Sequence, residues 1–232
     1  DPELLELMLL VSDNSASDAV LKLAGGPKAV TEAMQALGIK GMEISRSTLD
    51  MLADWRGIDD LSGGADFTVA KYNRLRDKVP AAVVEAAQKR FYFDARDSAT
   101  PEAMTSLMAL VCNGSALKPE TTTVLLNIMA RCQTGKSRIK KLIPPGMTVA
   151  NKTGTIGNGI VNDVALLTLP DDAGHVALSV FIKASERDVA QQEQVMAQIA
   201  RYCYDYYLFR GALQASPSEA VSCPLRDPNC YP

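Results

Sequence analysis

The sequence predicts an α+β fold: an antiparallel sheet flanked by helices, preceded by an all-helical region. Three observations carry this. Apolar residues recur at helical spacing over the first two thirds of the chain; between residues 147 and 183 the pattern changes to three apolar or β-branched runs joined by short turns; and a long helical stretch over 185–209 follows. With 232 residues, 47% of them hydrophobic and 22% charged, the chain can build one large packed domain or two small ones, which excludes disordered, collagen-like and fibrous classes.

Residues 4–11 read as an apolar helix and 16–24 as a second. Gly25-Gly26-Pro27 then breaks the chain and restarts it with proline at a first helical position, through Leu37-Gly38. Residues 45–90 are more charged, with Arg74, Arg76, Asp77, Lys78, Lys89 and Arg90, and are punctuated by Gly63-Gly64 and Pro80. They read as two or three peripheral amphipathic helices. Thr100-Pro101-Glu102 is a helix start, threonine at the cap and proline after it, and glycine ends that helix at Asn113-Gly114; another spans 119–131. Strands are expected over 147–155, 160–169 and 176–183, and the closing helix takes Ser185 as its cap with Asp188 three residues on. The chain thus divides into a helical region, 1–145, with an insertion at about 42–93; a strand and closing-helix region, 146–210; and a Cys- and Pro-containing tail, 211–232.

Composition narrows the function. Against 27 Asp+Glu stand 24 Lys+Arg, a net charge of −3, so no global positive field exists to hold nucleic acid or an anionic membrane. The apolar runs fall short of the ~20 residues that span a bilayer, and the expected partner is a small molecule or another protein. The single histidine, His175, follows Asp171-Asp172-Ala173-Gly174 and reads as an exposed turn residue, which leaves too few histidines for a Ser-His-Asp triad, a Cys-His pair or most zinc sites. Cys112, Cys132, Cys203, Cys223 and Cys230 include no CxxC spacing, so neither a metal nor a cofactor is expected. Cys223 and Cys230 bracket a Pro-rich segment that a disulfide would staple, which points to a periplasmic or secreted protein. Residue 1 opens directly into a helix-like segment, so removal of upstream sequence is expected.

Two short stretches hold polar groups that a core would not accept: Val11-Ser12-Asp13-Asn14-Ser15 after an apolar helix, and Asn151-Lys152-Thr153-Gly154-Thr155 inside the first strand. A lysine in an apolar strand is costly to bury without partners. Either triplet alone is a common turn or strand end. Together, in this order and context, Ser-Asp-Asn and Lys-Thr-Gly resemble two of the three signatures of the serine β-lactamases and penicillin-binding proteins.

The remainder resembles class A β-lactamases. The stretch from Ser12-Asp13-Asn14-Ser15-Ala16 through Gly25-Gly26-Pro27-Lys28 is similar to that family's loop and following helices. Asp94-Ala95-Arg96-Asp97-Ser98-Ala99-Thr100-Pro101 resembles the end of its Ω-loop, Thr134-Gly135-Lys136-Ser137-Arg138 its Thr-Gly-x-x-Arg segment, and Asn162-Asp163-Val164-Ala165 the strand beside Lys-Thr-Gly. The likeness runs from about residue 3 to 210, poorest over 42–93, with the tail outside it.

The resemblance implies a serine that attacks a β-lactam carbonyl, activated by a lysine one helical turn away, without histidine. Ser12 would relay a proton to the departing lactam nitrogen, and Lys152 would hold that hydroxyl and place positive charge near the substrate carboxylate. Asn14 would bind the acyl side-chain amide and Thr153 the carboxylate, and the Thr155 N–H would be half of an oxyanion hole; Arg138 would approach the same carboxylate, with Thr134 and Gly154 completing the binding set.

Two departures stand out. Ser-x-x-Lys should lie tens of residues upstream of Ser12, so the nucleophile is expected outside this sequence; Ser137-Arg138-Ile139-Lys140 falls on the wrong side and reads as chance. The absent portion should also supply two strands and a buried helix, so an N-terminal segment of the same protein or another copy is expected to cover the open core. Between Gly41 and Asp97 no Glu-x-x-Leu-Asn occurs. The nearest acidic residues, Glu43, Asp50 and Asp54, read as a solvated helix face. Three readings stay open: a class A-like serine β-lactamase with a remodelled Ω-region, a penicillin-binding-protein-like D-Ala-D-Ala peptidase or acyltransferase that β-lactams acylate but that deacylates slowly, acting on a β-lactam or a peptidoglycan peptide, and a non-catalytic binding module of the same fold.

Overall fold

The computed structural model describes residues 2–59, 61 and 68–213. The chain opens with three helices, α1 (Pro2–Leu10), α2 (Asn14–Leu23) and α3 (Gly26–Ala36). The Asp13 carboxylate caps α2, accepting the Ala16 N–H at 2.7 Å and so satisfying one of the donors a helix start leaves free. Pro27 stands in the first turn of α3, where its missing N–H goes unneeded. A two-residue strand, β1 (Met42–Glu43), then precedes α4 (Thr48–Arg56), α5 (Val69–Arg76) and α6 (Ala81–Phe91), and β2 (Ser98–Ala99) returns to pair antiparallel with β1. Two residues are too few for a period-2 pattern, so the sequence carries no signal for that pairing.

The insertion is helical as expected, but it is not wholly peripheral. Ala53, Trp55 and Ile58 are buried with Ala87 of α6, because α4 packs on both α6 and α2. The Asp18 carboxylate of α2 accepts the Thr48 and Leu49 N–H groups at 2.6 and 3.0 Å, tying the first turn of α4 to the helical region. The Gly63-Gly64 break lies outside the described residues.

Helices α7 (Pro101–Cys112) and α8 (Pro119–Ala130), a 3-10 turn (Ile139–Leu142), strands β3 (Val149–Ile156), β4 (Ile160–Thr168) and β5 (His175–Ile182), and the closing helix α9 (Val189–Leu213) complete the chain. The strands form one antiparallel sheet in the order β3-β4-β5. Side chains alternate along β4: Val161, Ala165 and Leu167 join the core under α9 with Ile139, Met196 and Ala200, while Val164 and Leu166 join the opposite core with Leu9, Met108, Leu126 and Ile128. Apolar residues on both faces explain why β4 reads as a nearly continuous apolar run.

Three boundaries differ from the sequence reading. The closing helix begins at Val189, because Ala184 takes φ 54° and the Ser185 N–H donates to the Gly159 carbonyl, which draws this segment towards the β3–β4 turn. His175 is the first residue of β5, half-buried opposite Thr168, since positive φ at Asp171, Asp172 and Gly174 completes the turn before it. Helix α9 continues to Leu213, so the tail does not start at 211; Cys223 and Cys230 lie outside the described residues. Among the described residues no helix is long and apolar enough to cross a membrane.

Candidate active site

Ser12 lies in the three-residue joint between α1 and α2 with φ 59°, a conformation that costs a non-glycine residue of order 1–3 kcal/mol and persists where its surroundings enforce it. They do so here. The Asp13 N–H donates to the Leu7 carbonyl at 3.1 Å, and the Leu10 carbonyl accepts the Gln133 N–H at 2.9 Å, which brings residues 132–134 alongside the joint.

Lys152 reaches Ser12 from β3. Strand alternation puts it on the Ala150 side of the sheet, towards α1 and α8, and its Nζ donates to Ser12 Oγ at 2.8 Å and to the Thr153 carbonyl at 2.6 Å. Burial pulls its pKa below the ordinary lysine value, opposed by the Cys132 sulfur and the Asp163 carboxylate and assisted by the Arg138 cation. The neighbouring Asp13 and Asn14 do not offset its charge: Asp13 caps α2, and Asn14 is exposed as the first residue of that helix. The offset comes from a hydroxyl and a carbonyl instead.

On the other side of β3, Thr153 Oγ1 and Thr134 Oγ1 are 2.8 Å apart, and Cys132 Sγ lies 3.2 Å from Thr134 Oγ1. This approach needs glycine at 135, where φ is +72° and a Cβ would come within 2.5 Å of Thr153 Cγ2. Gly154 and Thr155 are exposed towards the end of the strand. Arg138 is 6% exposed and already occupied: Nε donates to Glu193 at 3.0 Å, Nη1 to the Asn162 and Gly154 carbonyls at 2.8 and 3.3 Å, and Nη2 to Thr155 Oγ1 at 2.7 Å. Three of its partners belong to the hairpin, so its first action is to brace β3 and β4 against α9. Its guanidinium arrives beside Thr155 through that brace.

Beneath these residues is a buried polar group to which the sequence reading assigned no role. Asp163 is fully buried, accepts from Asn151 Nδ2 at 3.0 Å and from the Ile139 N–H at 3.3 Å, and burial raises its carboxyl to about 6. An aspartate inside the apolar run 160–169 carries the same signal that singled out Lys152. Lys140 donates to the Cys132 carbonyl at 2.8 Å while Ser137 is exposed, so Ser137 and Lys140 make no nucleophile pair. The three acids nearest the absent Glu-x-x-Leu-Asn are engaged locally: Glu43 accepts from Ser45 Oγ, Asp50 from Ser47 Oγ, and Asp54 pairs with Arg46 and Arg96. Among the described residues no group of three or more His, Cys, Asp and Glu could hold a metal ion.

Residues 2–207 match the model of the beta-lactamase enzyme family. The chain is 28% identical over 211 residues to the extended-spectrum β-lactamase PER-1 of Pseudomonas aeruginosa, an alignment covering 89% of this chain and 56% of that protein. It is 27% identical over 191 residues to the carbapenem-hydrolyzing β-lactamase KPC of Klebsiella oxytoca, covering 82% and 53%. It therefore spans about half the length of the curated relatives it matches. Among solved structures, that of the TLA-1 extended-spectrum β-lactamase aligns with a TM-score of 0.66 at 25% identity, covering 89% of this chain and 64% of that one. A β-lactamase from Chitinophaga pinensis aligns with a TM-score of 0.68 at 25% identity, covering 88% and 64%.

Proposed function

Since this chain belongs to the beta-lactamase enzyme family, we propose that it is the cleft-bearing part of a class A-like serine hydrolase that opens β-lactams through an acyl-enzyme, with its nucleophile on a segment outside these 232 residues. The single observation that carries this reading is the 2.8 Å contact from Lys152 Nζ to Ser12 Oγ. When the nucleophilic serine adds to the lactam carbonyl and the C–N bond breaks, the departing nitrogen needs a proton. Ser12 Oγ supplies it, and the adjacent ammonium stabilises the oxygen while the proton moves. The Thr134 and Thr153 hydroxyls, paired at 2.8 Å, receive the substrate carboxylate within the field of Lys152. The Thr155 N–H serves as one oxyanion donor, with Arg138 and Gly154 holding that end of the strand in place, and Asn14 binds the acyl amide.

The penicillin-binding-protein-like reading draws on one specific observation: Asp50 and Asp54 are committed to a helix cap and to ion pairs. In that reading β-lactams acylate the protein and leave slowly. The full-length protein with nitrocefin separates the two, steady turnover supporting a β-lactamase and a burst of one equivalent the slow acyl-enzyme. No burst and no labelling by a fluorescent penicillin would leave only the binding module. The reading includes a cover for the sheet, either an N-terminal segment of the same protein or another copy. It also includes export to the periplasm or outside the cell, which detection of a Cys223–Cys230 disulfide by mass spectrometry would support.

A further inference from the structure

The insertion and the hairpin that carries Thr155 meet through aromatic rings seated on glycines. Trp55, near the end of α4 and 4% exposed, lies against the β3–β4 turn, where a Cβ on Gly157 would come within 2.4 Å of its Cζ2. In the same turn a Cβ on Gly159 would come within 2.3 Å of Tyr92 Oη. Real Cβ contacts essentially never fall below 3.0 Å, so both positions exclude a side chain while the rings stay in place. Trp55 holds Phe91 and Tyr92 edge-on at centroid distances of 5.4 and 5.6 Å, and the Ser185 N–H grips the Gly159 carbonyl at 3.1 Å. Gly157 is two residues beyond Thr155, ~7 Å along an extended strand.

We propose that Trp55 and Tyr92 are positioning residues: by docking the insertion on Gly157 and Gly159 they fix the tip of the β3–β4 hairpin and, through it, the backbone N–H of Thr155. The inference rests on the function proposed above, in which that N–H faces the oxyanion. Among the described residues β3 pairs with β4 alone, so the hairpin tip depends on contacts from outside the sheet. An oxyanion donor has to sit roughly 2.7–3.1 Å from the developing charge, and a misplacement of about 1 Å costs on the order of a hundredfold in rate. The insertion therefore acts on the chemistry through the hairpin without offering a group to the reacting atoms.

The test uses the full-length protein and the variants Gly157→Ala, Trp55→Ala, Trp55→Phe and Trp55→Phe/Gly157→Ala. Each is followed by thermal melting, by saturation kinetics of acylation with a fluorescent penicillin, and by amide hydrogen exchange over residues 155–160. Gly157→Ala and Trp55→Ala should each lower the limiting acylation rate about tenfold or more with half-saturation unchanged, because the donor acts in the transition state, and should speed exchange in the hairpin by a similar factor. Trp55→Phe alone should stay near wild type. The double variant should recover part of both losses, because the smaller ring leaves room for the methyl group; the remainder reflects alanine at φ +57°. Wild-type rates and exchange in the folded Trp55→Ala protein, or a double variant no better than Gly157→Ala, would overturn the inference. If the wild-type protein is not acylated, the proposed function falls, and the exchange pattern still decides whether the rings hold the hairpin.

Discussion

Lys152 is a cation on an apolar strand whose charge is met by one hydroxyl and one carbonyl, so its contact with Ser12 serves stability and chemistry together. Lys152→Ala is expected to lower acylation of the full-length protein by a penicillin by a factor of about 10²–10⁴ while the melting transition persists, the range that a positioned proton-transfer group supplies; labelling at the wild-type rate would remove Lys152 from the mechanism. Asp163 gives a second prediction. Its folded pKa of about 6 lies above the ordinary carboxyl value of 3.8, so between pH 4 and 6 the folded protein binds more protons than the unfolded one, and stability falls as pH rises through that window. The difference amounts to on the order of 3 kcal/mol. Urea melts at pH 4, 5 and 6 should show the decline, and Asp163→Asn should flatten it.

At the scale of elements, the insertion is closed at its neck by Arg46. Its side chain is 7% exposed and pairs with Asp97 at 2.5 Å, with Asp94 at 3.2 Å and with Asp54, while Asp97 Oδ1 also accepts the Ser45 and Arg46 N–H groups at 2.7 and 3.0 Å. Arg96 also pairs with Asp54 and Asp94, so of the three acids only Asp97 loses its one cation, and Arg46→Ala should cost about 1–3 kcal/mol in denaturant melts, with hydrogen exchange rising first over residues 45–59 and 81–97. The Asp94 carboxyl is held down to about 2, chiefly by its hydrogen bond to Arg96. A depressed carboxyl stabilises the fold above its unfolded value near 4 and loses that contribution as pH falls towards 2; the neck should therefore loosen on acidification below pH 4, seen as faster exchange in the same segments.

Over the whole molecule, two surfaces await a partner in the proposed arrangement. β5 is the far edge of the sheet, and Val195, Ile199, Tyr202, Tyr206 and Phe209 line one exposed face of α9 at alternating spacings of four and three residues. An apolar stripe of that regularity is the face a helix turns to a neighbour. The isolated 232-residue chain is expected to self-associate with concentration in gel filtration, and Tyr202→Glu with Phe209→Glu should shift it towards monomer. A stable monomer with a cooperative melt would argue against a cover.

The elements that the sequence determined by itself are those written in local chemistry and composition: the cap Thr100, proline in the first turns of α3 and α7, the apolar and β-branched runs of β3 to β5, and a lysine too costly for an apolar strand unless something polar faces it. Through the paired motifs, that costly lysine also led to Ser12, 140 residues away. Contacts between distant segments that no local pattern encodes were settled only by tertiary structure. The seating of Trp55 on Gly157 and the threefold clasp of Arg46 join residues far apart in the chain, so neither appears in any window of neighbouring residues. The β1–β2 pair is too short to have a period, and Arg138, plausible on a surface, becomes a buried brace only because the β3–β4 hairpin and α9 close over it. Burial converts an ordinary charged residue into a structural one, and burial is a property of the folded chain.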